Sequence, residues 1–177
     1  EGDWSVNAAG SLTLSPALNF NGVASITYLV ADNGGALSNT ATITVSVVSV
    51  NDAPIAVDDS GTTDENTPVT VNNITSNDTD VDGTVDVTSI DLDPVTGGQQ
   101  TTFNTGQGQW SVNNAGDVTF TPSTNFNGTV TRNYVVRDDA GDLSNSATIT
   151  IAVNAVNNLP IANDDAGVTN EDTPVTL

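Results

Sequence analysis

The stretch "GTVTRNYVVRDDAGDLSNSATITIAVNAV", residues 128 to 156, decides the fold. Apolar and β-branched residues alternate with polar ones over 128–138 and again over 146–156, and the Asp, Ala, Gly and Asn between them signal a turn. Two half-buried strands are the direct reading. The same period runs through "DVTFTP" (117–122), and further candidate strands are "PIAV" (54–57), "PVTVN" (68–72), "DVTSIDL" (86–92), "TTFN" (101–104) and "QWSVN" (109–113). Helix periodicity is nowhere sustained. Seven or so short strands in about 100 residues, spaced by turn signals, predict an all-β, seven-stranded Greek-key sandwich. Trp110, Phe120, Tyr134, Val136, Ile149 and Ile151 sit on the apolar side of their strands and are the expected interior.

Outward from this stretch the chain repeats itself. "NDAPIAVDDSGTTDENTPVTV" (51–71) returns as "NNLPIANDDAGVTNEDTPVTL" (157–177), an offset of 106 residues (157 minus 51). The same offset places Trp4 on Trp110, "NFNG" of 19–22 on 125–128, Tyr28 on Tyr134 and "ATIT" of 41–44 on 147–150, without a gap. Of the 71 overlapping positions (177 minus 106), 39 are identical. A tandem array with this period is expected. Residues 1–52 would be the later half of one repeat, 53–158 one complete repeat and 159–177 the first strands of the next. Alone, 1–52 would leave an unpaired edge and one apolar face uncovered. Its missing strands would come from upstream chain or from a neighbouring molecule, and 159–177 is a set of such early strands.

Composition limits the chemistry. There is no Cys, His, Lys or Met, and Arg132 and Arg137 stand against 22 carboxylates, a net charge of -20. Disulfides, thiolate metal sites and thiol catalysis are excluded. A nucleic-acid partner is not expected, since phosphates need Lys and Arg, and no apolar run is long enough for membrane insertion. An enzyme would have only Asp and Glu to work with, and none is expected here. A module binding sugar, ice or a host protein stays open as an alternative, because "TATITVSV" (40–47) supplies alternating Thr, although strand alternation alone produces that pattern.

The unit 53–158 carries 14 carboxylates, many in short loop patterns: Asp58 and Asp59, Asp64 and Glu65, Asp78, Asp80 and Asp82 in "NDTDVDG", and Asp138, Asp139 and Asp142 in "RDDAGD". Alternate carboxylates in a Gly-closed turn can aim several oxygens at one hard cation such as calcium. An EF-hand is excluded, because the twelfth position counted from Asp78 is Ser89 and no flanking helices are predicted. The alternative for these acids is a solvated surface serving solubility or salt tolerance.

The order "VNDAP" (50–54), "DENTP" (64–68), "DTDVDG" (78–83) and "VVRDDAGDLS" (135–144) ahead of "ATITIAV" resembles the cadherin-like repeats strung through very large bacterial surface and secreted adhesins. The resemblance implies calcium held at the joints between repeats. At the first joint it implies Asn51 and Asp52 from the linker, Asp80 and Asp82 (or Asp78) from the loop, and Asp138. At the second it implies Glu65 with Asn157. Asp58 and Asp59, which return as Asp164 and Asp165, are possible ligands only. The second linker has Asn158 where the first has Asp52, so weaker calcium binding is expected there. The implied function is a calcium-stabilised extender of an extracellular or bacterial cell-surface adhesin. Its partners would be adjacent repeats of the chain and, in a fibre, identical chains.

Overall fold

Residues 1–177 are described by a computed structural model. In 53–158, two four-stranded sheets face each other. One has the order β6 (Val69–Val71), β10 (Val118–Pro122), β9 (Gly108–Val112), β8 (Thr102–Thr105). The other has the order β5 (Asp59–Asp64), β12 (Ala147–Asn154), β11 (Gly128–Asp138), β7 (Val85–Asp91). This is the expected sandwich, with eight strands where seven were expected. A short 3-10 turn, Ile74–Asn77, carries the chain from β6 toward β7.

The alternating residues fill the space between the sheets. Trp110, Phe120, Tyr134, Val136, Ile149 and Ile151 are all buried, as their strand positions predict, and join Ile74, Ile90, Leu92 and Val118 in one core. Trp110 and Phe120 are direct cross-strand partners, and their rings stack at 4.6 Å with a 43° tilt, a pairing that adds to simple burial. Arg132 shares the inward register of Val130 and Tyr134. Its guanidinium lies 3.7 Å from the Phe103 ring centroid and 3.2 Å from Asp93, so the charge closes the margin of the core rather than sitting in it.

One strand departs from the sequence reading. "PIAV" (54–57) forms only an isolated bridge, Ile55 to Thr79, and the first long strand is β5, whose sequence "DSGTTD" carries no large apolar residue. The cause is competition for the backbone. Pro54 has no N–H, the Asn145 side chain takes both the N–H and the carbonyl of Ala56, and Asp78 takes the N–H of Val57. Past these claims the backbone is free, and β5 pairs in parallel with β12 from Ile149↔Asp59 to Asn154↔Asp64. Gly61 permits the close approach, since a Cβ there would stand 2.9 Å from Ile151 Cδ1.

Residues 1–52 form two hairpins: β1 (Gly2–Val6) with β2 (Leu12–Pro16), and β3 (Gly22–Tyr28) with β4 (Ala41–Val47). Only Ala24 is buried among them. Residues 159–177 form no strand and are exposed.

Candidate metal centre

The ends of the sandwich are set by strand direction. β5 and β12 both run away from the Asn51–Asp52 linker, and β11 runs back toward it, ending at Asp138. The linker, the 78–84 loop before β7 and the 138–146 loop after β11 therefore share one end. Glu65, just past β5, lies at the other, where its N–H donates to Asn154 O at 2.8 Å.

At the linker end two loops are shaped by their own carboxylates. Asp80 Oδ1 accepts the N–H groups of Asp82 (3.1 Å) and Gly83 (3.0 Å), folding the D-x-D loop. Its second oxygen, Oδ2, is buried with no hydrogen-bond partner. A Cβ on Gly83 would lie 2.7 Å from Asp139 Oδ1 and 3.2 Å from Asp80 Oδ2, so the glycine lets the loop close over both acids. In the 138–142 loop, Asp138 Oδ1 accepts the N–H of Asp142 at 2.7 Å. Asp138 is 3% exposed, and its carboxyl is held below the usual range, first by the Asn51 amide and then by backbone N–H groups of its own loop.

The linker ties the two loops together. Asn51 Nδ2 donates to Asp138 Oδ2 at 2.7 Å and to Asp142 Oδ2 at 2.8 Å, while the Asp52 N–H donates to Asp82 Oδ1 at 3.2 Å. Asn51, Asp52, Asp80, Asp82 and Asp138 thus belong to one connected group. Asp139 and Asp142 join it although the sequence reading assigned them no role; their signal was the "RDDAGD" run itself. No three carboxylates converge closely enough to make a ready cage for a metal. Arg132, paired with Asp93, forms the one ion pair, so the buried oxygens of this group have no cation opposite them. Oxygen-only donors with a buried carboxylate oxygen left unpartnered are the chemistry that a hard divalent cation requires.

Asp58, Asp59 and Asp78 do not join this group. Asp78, offered as an alternative to Asp80 and Asp82, turns inward, where its Oδ1 lies 3.0 Å from the Tyr134 hydroxyl and 2.8 Å from the Val57 N–H. Asp59 Oδ2 is 3.3 Å from the same hydroxyl, and Asp58 Oδ1 accepts the Thr148 N–H at 2.8 Å. Burial, with the nearby Asp78 charge adding to it, raises the Asp59 carboxyl to about 6; burial raises Asp78 as well. Asp58 thus accepts from β12 and Asp59 meets the tyrosine of β11, and both acids and the tyrosine have a counterpart at the 106-residue offset.

At the far end, Glu65 is 6% exposed. Its Oε1 accepts the Val156 N–H and the Asn158 side-chain amide, both at 3.0 Å. The resemblance pairs Glu65 with Asn157; the side chain that hydrogen-bonds Glu65 in this structure is that of the adjacent Asn158.

A two-sheet sandwich with oxygen-rich loops gathered at an interdomain linker defines a modular β-sandwich domain. The chain belongs to the bacterial cadherin-like domain family, whose model matches residues 51–155. Residues 1–46 match a model described as a bacterial Ig domain. The crystal structure of chicken VE-cadherin EC1-2 is similar over 87% of this chain and 78% of that one, at 16% identity and a TM-score of 0.38. No curated protein matches the chain. Domains of this kind are typical of adhesins and surface repeats, are typically extracellular or surface-exposed, and in the cadherin-like case generally bind calcium. No helix is long and apolar enough to cross a membrane.

Proposed function

We propose that this chain is a non-catalytic, calcium-stiffened repeat that extends a very large extracellular adhesin or surface fibre and projects a distal binding region. The observation that carries this reading is the buried, unpartnered Asp80 Oδ2 in a loop that the Asn51–Asp52 linker ties to Asp138. Calcium would be held by Asn51, Asp52, Asp80, Asp82 and Asp138, and would supply the positive charge that this oxygen cluster lacks. The chain's own residues do the rest. Asp80 and Asp138 each use one oxygen to fix their loop, which leaves the second oxygen of Asp80 without a partner and that of Asp138 to the linker's Asn51. Asn51 spans from linker to loop and sets the angle at which the preceding repeat leaves.

A net charge of -20 makes the metal-free chain repel itself. A cation bound only by the folded joint adds RT ln(1 + [L]/Kd), about 2.7 kcal/mol per site at a hundredfold excess. With β11 eleven residues long and a rise of about 3.3 Å per residue, one repeat contributes roughly 35 Å of length. An array of such units, locked at the joints, is a rod.

Thermal unfolding of the 177-residue chain in EDTA, in millimolar calcium and in millimolar magnesium tests the reading. A gain of about 2.7 kcal/mol corresponds to roughly 10–20 °C for a domain of this size. That shift is expected with calcium, to be much smaller with magnesium, and to disappear in Asp80→Asn and Asp138→Asn. An unfolding temperature identical in EDTA and calcium would return these acids to surface solvation.

A further inference from the structure

A concavity lies where β7 meets β11, within 53–158. Tyr134 and Val136 point into the core, so Val135 and Arg137 of the same strand point away from it. The β7–β11 register jumps between Val135 and Arg137. The Ser89 hydroxyl fills the step, accepting the Arg137 N–H at 2.7 Å and donating to Asp86 O at 2.7 Å. The segment 92–101 is stitched to the same step, since Gln99 Nε2 donates to Thr88 O at 2.7 Å and to Ile90 O at 3.0 Å. An irregularity of this kind re-aims a side chain, and here that side chain is Arg137. The space enclosed is about 270 Å³, with Asp91, Gly97, Gly98, Gln99 and Arg137 in its wall.

The wall presents free hydrogen-bonding groups of both kinds. Arg137 uses only Nη1, on Gly141 O at 2.8 Å, which holds the guanidinium in place and leaves its other N–H groups open. No carboxylate neutralises it, because the chain's ion pair is Arg132 with Asp93. The N–H groups of Gly97, Gly98 and Gln99 donate to nothing in the chain. Gly98 takes φ 90°, and a Cβ on Gly97 would meet nothing within 4 Å, so this backbone is open to a ligand. Acceptors stand beside these donors. Asp91 spends Oδ1 on the N–H groups of Asp93 at 2.9 Å and Gln100 at 3.0 Å and keeps Oδ2 unburied and unpaired. The fold does not need the arginine: Ala31 stands in its place at the 106-residue offset, and the bridges Ala31↔Leu37 and Arg137↔Leu143 are the same.

We infer that this concavity binds one ring of a neutral saccharide through Arg137, Asp91 and the 97–99 backbone. Each sugar hydroxyl both donates and accepts, which matches a wall that offers both. A cation would meet Arg137, and an anion would meet Asp91 and a net charge of -20. An apolar ligand would leave these polar groups unpaired. The volume lies just under the roughly 300 Å³ at which pockets for drug-sized ligands begin, so the space suits a single ring. The site uses none of the oxygens assigned to calcium and does not rest on that reading.

Titration of the isotope-labelled 177-residue chain with D-glucose, D-galactose, D-mannose and N-acetyl-D-glucosamine, each to tens of millimolar, tests this by amide chemical shifts. Sodium D-glucuronate is the charged comparison. Saturable shifts at Gly97, Gly98 and Gln99 with at least one neutral sugar are expected, and Arg137→Ala should weaken that binding about tenfold. An unfolding temperature unchanged by Arg137→Ala, as the alanine in the other copy leads one to expect, separates a lost contact from lost folding. Arg137→Gln, which keeps more of the side chain's length, serves the same purpose if alanine destabilises. Shifts from none of the neutral sugars, shifts from glucuronate alone, or neutral-sugar binding that neither variant weakens overturn the inference.

Discussion

Tyr28 and Tyr134 occupy the same place in two hairpins of the same register, yet Tyr134 is fully buried and Tyr28 is 45% exposed. Trp110 is 1% exposed, whereas Trp4, its counterpart, is half-buried. The backbones around them do not differ in the same way. Asn19 and Asn125 both take φ 58°, Gly10 and Gly116 both take 79°, and Gly35 and Gly141 take 86° and 98°. The loop carboxylates repeat as well: Asp32 Oδ1 accepts the Ala36 N–H at 2.9 Å, and Asp138 Oδ1 accepts the Asp142 N–H at 2.7 Å. Turn chemistry and strand pairing are properties of the local sequence, which is why they appear in both copies. Residues 107–158 are covered by β5, β6 and β7, and residues 1–52 have no such strands packed on them in this structure.

The widest separation between the copies is expected from Trp110→Ala and Trp4→Ala. Removing the buried ring should cost about 3–5 kcal/mol, and removing its half-exposed counterpart less than about 1 kcal/mol, the range of partly exposed sites. Urea unfolding followed by circular dichroism reads both, and equal losses would mean that residues 1–52 are packed in solution as tightly as 107–158. Tyr134→Phe should follow, at roughly 1.5–3 kcal/mol, because it deletes the one donor shared by Val57 O, Asp59 and Asp78. Tyr28→Phe should be close to neutral in the same assay.

The two joints offer a second comparison. At the first the linker presents Asp52, and at the second an amide of Asn158 already satisfies Glu65. Asn158→Asp should therefore lower stability in EDTA by about 1–3 kcal/mol, by setting a carboxylate against buried Glu65. Part of that loss should return with calcium. A loss that calcium leaves untouched would show that the second joint does not bind the ion even with the acid restored.

The smallest effect is on pH dependence. Asp59 is raised to about 6, from an ordinary value of 3.8. Its contribution to stability is therefore fully present below about 3.8 and is lost as pH rises through about 6, and Asp78 acts in the same direction. In EDTA the unfolding temperature should rise modestly between pH 7 and pH 5, and Asp59→Asn should flatten that rise. Asp117 and Asp138, whose carboxyls are held low by side-chain amides, act oppositely and only as pH falls below their ordinary range. A profile flat from 7 to 5 in the unaltered chain would show that Asp59 is solvated in both states.

Much of the sandwich was legible because alternation is a one-dimensional signal. The six residues named as interior are the ones that close the core. β5 was not legible, since "DSGTTD" has neither alternation nor large apolar residues and becomes a strand only because β12 offers it an edge. The acids were legible as clusters but not as sites. Asp78, Asp80 and Asp82 alternate in one motif, yet Asp78 turns to Tyr134, Asp80 folds its own loop and Asp82 meets the linker. Asp139 and Asp142 enter the joint because Gly83 and Asn51 approach from segments distant in the chain.

By itself the sequence determines the self-similarity at an offset of 106 residues, the strands that alternate, the turns that Asn, Asp and Gly impose, and a strongly negative charge. These depend on interactions within a few residues, or on composition alone, so both copies show them. Only the tertiary structure decides which tyrosine is buried, which acid of a D-x-D run faces the linker, and which of two neighbouring asparagines reaches Glu65. Those outcomes depend on groups brought together from strands that are far apart in the chain. Desolvation and close packing act on the assembled neighbourhood, which residues 1–52 share in sequence with 107–158 but not in space.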